Sequence, residues 1–301
     1  MIDRKQIKAT AKARMAQSEP SYWKIMLIWV AVAALAPQLV LNLAGGSSGA
    51  DALMKFSQLL EGGIDPELAL RALQLSAGQL TASWVLSLVL NLYQMVVGFG
   101  LTAYCLRLYR GQECGMPDLF TGFSMVGRVI GQQVLVALIA IGITILLTIP
   151  VTMVVLFAAS MGEVLGSILL IAGVLGGAIL LVVIMLNYVL ATIALADQPD
   201  LGAMGAIQYG KNLIRGHKGQ FVILVLSFFG WALLCSLLEG IFAGVSTVFP
   251  LPVPRWAIGL IDLVLMLPYY LWLAPYVQTS TAGFYDALRQ EKETLPQMPP
   301  L

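Results

Sequence analysis

Six long apolar runs organise the chain, at roughly 22–44, 79–106, 129–158, 164–195, 220–245 and 257–278. Each meets the ~20 residues that a helix rising ~1.5 Å per residue needs to cross hydrocarbon. A backbone in lipid must satisfy its own hydrogen bonds, so these runs predict helices. Leu, Ala, Met and Ile dominate without strict alternation, which argues against a β-barrel. Only a few residues around Ser160–Glu163 separate runs three and four, which predicts an antiparallel hairpin.

Between the runs the pattern turns amphipathic. In residues 2–16, Lys5, Lys8 and Lys12 share one helical face and Ile7, Ala11 and Met15 another, as in a basic helix lying on a leaflet. The loop 45–78 opens with a flexible "GGSSG". Leu53, Phe56 and Leu60 then recur at helical spacing, "GG" breaks the pattern, and Asp65 with Pro66 marks a second start, N-cap and first position. Two short rim helices are expected there. The connection 196–219 places Met204, Ile207, Leu213 and Ile214 among Lys and Arg, predicting another basic interfacial helix. His217 at its end has no nearby sequence partner for catalysis or metal binding and reads as solvated.

Composition identifies the solvent. The chain is 59% apolar and 11% charged, with a mean hydropathy of +0.86. Soluble domains carry about 25% charged residues, so lipid is the expected surrounding. The net charge of +1 excludes a nucleic-acid partner, which needs a basic face. Cys105, Cys114 and Cys235 form no CxxC pair, and a single histidine rules out a multi-histidine metal site; no cofactor is expected.

Charge then sets orientation. Of the 17 basic residues, 14 fall in the N-terminal segment, the second–third and fourth–fifth connections and the tail; Lys55, Arg71 and Arg255 fall on the other side. The positive-inside rule places both termini in the cytoplasm. The expected architecture is all-α, a polytopic bundle with N-in and C-in termini. It comprises a basic amphipathic helix at 1–21, a six-span domain at 22–282 with outer loop 45–78 and inner loops 107–128 and 196–219, and a cytoplasmic tail at 283–301. The first run exceeds a signal-peptide core and is read as an uncleaved span.

Few polar groups are candidates for chemistry. Ser83, Ser87, Asn91, Gln94, Gly98 and Thr102 form one stripe along run two. Asn91 falls near mid-membrane, with Asn187, Tyr188, Gln132 and Gln133 as expected cross-helix partners. Glu239 and Asp262 fall ~9 Å inside the outer boundary of runs five and six, at matching depth. Two such carboxylates either share a proton, which suits proton or cation coupling, or face an outer vestibule beside Arg255. Gly127/Gly131, Gly162/Gly166 and Gly173/Gly177 read as close-packing pairs, and Pro37, Pro150, Pro268 and Pro275 as kinks or ends. "GFGLTA" at 98–103 matches a dinucleotide fingerprint only formally, having no preceding strand.

"RKQIKATAKARM" before "YWKIMLIWV", "RLYRGQE…DLFTGF", "GHKGQFVILVLSFFGWALL" and "LAPYVQTSTAGFYDAL" resemble segments of a bacterial integral-membrane family of unknown function, DUF975. The resemblance implies a multi-span bacterial plasma-membrane protein and brings no reaction or catalytic residues. One departure stands out: Glu239 and "FPLPVPR" occupy the place of a short apolar turn, so the outer end of the last hairpin is expected to differ.

Three function classes survive. The first is a non-enzymatic membrane protein acting through lipid, including anionic inner-leaflet lipid, or a membrane-protein partner. The second is a transporter or transport-accessory subunit using Asn91, Gln94, Asn187, Glu239 and Asp262. An intramembrane enzyme ranks last, because no nucleophile–base set is visible.

Overall fold

The computed structural model describes residues 3–43, 56–74, 77–159, 163–248 and 255–294. The "GGSSG" stretch, residues 160–162, "FPLPVP" and the end of the tail lie outside the described residues, as does the side chain of Asp262.

α1 (Arg4–Ala16) starts where Asp3 accepts hydrogen bonds from the Lys5 and Gln6 amides. Such a cap satisfies amides with no helical partner. The predicted apolar face is the buried one, Ile7, Ala11 and Met15. It packs on the bundle, not on lipid: α1 contacts α6 (Ala77–Arg110) and α15 (Ala274–Thr294). The first apolar run is α2 (Tyr22–Val30), a π turn (Ala31–Leu35) and α3 (Ala36–Leu43). Helices form at both predicted places, α4 (56–61) and α5 (Pro66–Gln74), with Leu53 outside the described residues. Asp65 Oδ1 accepts from the Glu67 amide at 2.9 Å, and Gly63 takes φ +74°, a turn a side chain would strain.

After α6, the short helices α7 (Met116–Leu119) and α8 (Thr121–Ser124) dock back onto it. The approach is close: a Cβ on Gly100 would stand 1.8 Å from the Leu119 carbonyl oxygen. α9 (Val126–Ala159) and α10 (Glu163–Met185) form the expected hairpin. Run four was expected to continue to 195, but the helix stops at Met185. Residues 186–190 turn, and α11 (Ala191–Asp197) resumes. Asn187 Nδ2 donates to the Ile184 carbonyl at 2.8 Å, satisfying one of the acceptors exposed by that stop.

α12 (Gly202–Leu213) is the helix expected in the fourth–fifth connection. Ile207, Leu213 and Ile214 are buried, so its apolar face also packs inward; Met204 alone of the four predicted apolar positions is exposed. α13 (Lys218–Val248) follows, and then α14 (Arg255–Pro268), a second π turn (Tyr269–Leu273) and α15 run without interruption. Pro268 and Pro275 bracket that π turn and Pro37 follows the first; proline lacks the N–H that the α pattern requires.

Among the described residues four helical stretches are long and apolar enough to cross a membrane, within α6, α9, α10 and α13. The other two expected spans are the ones split by π turns. The core gathers at the end where α1 meets α15: Leu106, Leu195, Leu213, Phe221, Leu224 and Phe284 interlock there. By contrast, no residue in the most apolar stretch of α9 or α10 is buried; Leu146 is 68% and Ile179 64% exposed. Apolar surface on that scale is tolerable only where lipid covers it.

Candidate functional site

The stripe predicted on α6 lines a recess of about 820 Å³. Asn91, Gln94, Gly98 and Thr102 form one wall, and Gln133, Thr192, Gln278 and Thr281 face it from α9, α11 and α15. Among the described residues, none in its lining is charged; the remainder are mainly Val, Leu, Ile and Phe. Amides and hydroxyls set among aliphatic groups orient a ligand that is uncharged and largely apolar. A second recess of about 450 Å³, lined by Trp29, Phe228, Tyr269 and Tyr270, shares Gly98, Val225, Leu226, Val277 and Gln278 with the first.

The cross-helix partners differ from those expected. Asn91 Nδ2 donates to its own helix, to the Ser87 carbonyl at 2.8 Å. Gln94 Nε2 reaches the Ala33 carbonyl at 3.4 Å, and Tyr93 Oη donates to the Val32 carbonyl at 2.9 Å. Pro37 has no N–H for the oxygen four residues before it, which is that of Ala33. The helix break in the first segment thus creates the acceptor that the α6 amide uses. Gln133 pairs with Thr192 at 3.4 Å, and Gln132 is buried with its Oε1 unpaired. Asn187 and Tyr188 are not in the lining. Glu239 is exposed on α13 and lies off the recess. Asp262 belongs to α14. The structure therefore unites Asn91 and Gln94 in one recess and leaves Asn187 and Glu239 outside it.

Beyond the recess, toward the end carrying α1, an ion-pair cluster ties together three of the helices that line it. Arg110 Nη2 meets Asp286 Oδ1 and Arg110 Nη1 meets Asp197 Oδ1, each at 2.6 Å. Asp197 Oδ2 also accepts from Arg289 Nη1 at 2.6 Å and Tyr285 Oη at 2.9 Å. The Asp197 side chain is only 4% exposed. Burial works against its charge, but hydrogen bonds from Arg110 and Tyr285 and the nearby guanidinium charges hold its carboxyl below the ordinary range. Arg110 lies eight residues past Thr102 and Asp197 five past Thr192, ~12 and ~7.5 Å along their helices. Tyr285 and Asp286 follow Thr281 by about one turn on α15. Sequence reading counted Arg110 and Arg289 only as orientation markers and missed the cluster. Its signal was an aspartate closing the apolar run "ATIALAD" together with "YDALR" after the last span.

Nearby, Asp118 Oδ2 caps α7 by accepting from the Gly115 amide at 2.8 Å, while its other oxygen pairs with Arg107. His217 Nδ1 lies 3.4 Å from Gln220 Oε1. Among the described residues no cluster of three or more His, Cys, Asp or Glu is placed to hold a metal ion.

A bundle of this kind, with lipid-exposed apolar helices, a lateral uncharged recess and a buried ion-pair cluster at one end, defines a polytopic helical membrane protein. The chain belongs to the family described as a protein of unknown function (DUF975), whose model matches residues 63–292. The match takes in three of the four segments quoted for the resemblance; α1 and the first apolar run precede it. No curated protein and no solved structure matches the chain.

Proposed function

We propose that this is a multi-pass protein of the bacterial plasma membrane, with both termini cytoplasmic, that holds an uncharged amphipathic molecule in its lateral recess and acts without catalysis. Its ligand class is a lipid bearing hydroxyl or amide groups. The recess carries the reading: about 820 Å³ lined by Asn91, Gln94, Gln133, Thr192, Gln278 and Thr281, with no charged group among the described residues of its lining. A charged headgroup finds no countercharge there, whereas an alcohol finds donors and acceptors on several sides. The gathering of 14 of 17 basic residues on one side supports the orientation.

A second reading, transport of such a molecule, draws support from the two π turns. The turn at Tyr269–Leu273 packs against α2, the helix leading into the turn at Ala31–Leu35. Broken helices facing one another beside a recess are a recurring transporter arrangement. Glu239, off the recess, takes no part in either reading.

Gly98 offers the test. A Cβ added there meets no atom within 4 Å, and the residue lines both recesses. Gly98→Leu therefore starts from open space and extends its side chain into the recess. With the full chain in bilayer nanodiscs and a photoactivatable diacylglycerol as probe, labelling is expected on peptides spanning 186–193 and 277–281, and its loss in Gly98→Leu. Equal labelling of both proteins, or labelling confined to the α9–α10 hairpin, overturns the proposal.

A further inference from the structure

Lys8 sits differently from its neighbours on the basic face of α1. Lys5 and Lys12 are exposed, whereas Lys8 is half-buried and turned toward α13. Its Nζ donates to Ser227 Oγ at 3.1 Å and stands 4.5 Å from the centroid of the Phe228 ring. Among the ion pairs of the described residues, none includes Lys8. An ammonium has three donors and Ser227 occupies one.

The level of this ammonium matters. Ile223, one helical turn before Ser227 on the same face of α13, is 52% exposed; on the other side Phe229 is 58% exposed. Apolar side chains open to the surroundings thus lie on both sides of the charge. A cation at the border of the hydrocarbon draws its compensation from an anion at the same depth, and the available anions there are lipid headgroups.

An aromatic strip leads away from it. Phe228 meets Tyr276 at 5.1 Å between ring centroids, Tyr276 meets Trp272 at 5.6 Å, and Trp272 meets Trp231 at 5.4 Å. Trp231 and Trp272 are both exposed. The rings climb about one turn along α13 and along the helix before α15, away from the basic end, and present a stiff apolar surface that an acyl chain can follow.

We propose that Lys8, held in place by Ser227, forms a binding site for the phosphate of an anionic membrane lipid, whose acyl chain lies along Tyr276, Trp272 and Trp231. The site shares no residue with the uncharged recess and does not depend on the function proposed for it. Free phosphate would satisfy the ammonium but gain nothing from the rings, which is why the ligand is a lipid.

The test uses the full chain in neutral detergent, titrated with phosphatidylglycerol, phosphatidylcholine or inorganic phosphate and read by native mass spectrometry. The wild type is expected to retain one phosphatidylglycerol in preference to phosphatidylcholine. Lys8→Gln is expected to weaken that binding about five-fold, Lys8→Arg to keep it, and Lys12→Gln to leave it unchanged. Millimolar inorganic phosphate is expected not to displace the lipid. Equal binding by wild type and Lys8→Gln, equal retention of the two lipids, or displacement by inorganic phosphate overturns the proposal. A second readout leaves α1 untouched: brominated phosphatidylglycerol should quench wild-type tryptophan fluorescence more than brominated phosphatidylcholine, and replacing Trp231 and Trp272 together by Phe should remove the difference. Quenching indifferent to headgroup overturns the proposal even if Lys8→Gln fails to fold.

Discussion

Gln94 donates from α6 to the carbonyl oxygen of Ala33, 3.4 Å away, the atom whose i+4 position is Pro37, which has no N–H to donate. The amide stripe and the broken first segment are therefore one feature. Gln94→Leu removes the donor and leaves the acceptor bare, and the expected cost is about 0.5–2 kcal/mol. Pro37→Ala restores an N–H within the same helix. In the Gln94→Leu background it should recover part of the loss, while in the wild type it should gain less. Thermal unfolding of the four proteins in one detergent measures that coupling; additive effects would show that the two residues act independently.

The Arg110 cluster makes a larger prediction. Removing one partner of a buried ion pair strands the other charge, at a typical cost of about 3–5 kcal/mol. Arg110→Leu should therefore lower the melting temperature more than any single change in the recess. It should also loosen α6, α11 and α15 together, visible as faster hydrogen exchange at their ends nearest α1.

The same cluster fixes a pH dependence. The Asp197 carboxyl is held below its ordinary value of 3.8 by the hydrogen bonds and charges of Arg110, Tyr285 and Arg289, which outweigh its burial. A lowered folded value means that its contribution to stability is complete above that ordinary value. It is lost as pH falls through the lower, folded one. Unfolding followed from pH 7 downward should show wild type more stable than Asp197→Asn across the neutral range. The gap should close only below pH ~4, where the carboxylate itself protonates. A gap that closed between pH 7 and 5 would point to another group.

The two glycines of the α9–α10 hairpin give a contrast within one helix. A Cβ on Gly173 would stand 2.7 Å from Val154 Cγ1, and one on Gly176 would meet nothing within 4 Å. Gly173→Ala should destabilise by about 1–3 kcal/mol through overpacking. Gly176→Ala should be neutral or stabilise by up to about 1 kcal/mol through helix propensity. Melting temperatures of the two variants decide it.

What the sequence made legible follows from periodicity. Ile7, Ala11 and Met15 repeat at helical spacing, and that face is the buried one; Asp65 and Pro66 mark a helix start, and α5 begins there. The polar stripe on α6 was visible for the same reason. Periodicity tells which residues share a face but not which helix that face meets. Hence Asn91 was given side-chain partners on other helices and instead bonds the Ser87 carbonyl of its own helix, while its neighbour in the stripe, Gln94, uses a backbone oxygen 61 residues away. The cluster joins Arg110 to Asp197 and Asp286, separated from it by 87 and 176 residues, and no local pattern encodes such pairings. The inward packing of α1 and α12 was missed because an amphipathic helix looks alike whether lipid or protein covers its apolar side. In runs one and six Pro37, Pro268 and Pro275 read as kinks or ends, because proline signals a break without stating its form, which here is a π turn.

The last prediction separates the fold from its orientation. Tyr276 Oη lies 3.4 Å from the Lys8 carbonyl and α1 packs along α15, so the two terminal helices share one end of the bundle. Arg71, exposed on α5, belongs to the connection that charge counting places on the opposite side. In a chain with Cys105, Cys114 and Cys235 replaced by alanine, Lys5→Cys and Gln290→Cys should both resist a membrane-impermeant maleimide in intact cells and react after permeabilisation. Arg71→Cys should react at once. If Lys5→Cys and Gln290→Cys were labelled from opposite sides, the packing of α1 on α15 would be wrong, and with it the even number of crossings. If both reacted in intact cells while Arg71→Cys did not, the bundle would stand and only its direction in the membrane would reverse. The Lys8 site would then face the other leaflet, which is why orientation has to be measured before the lipid that occupies it is sought in cells.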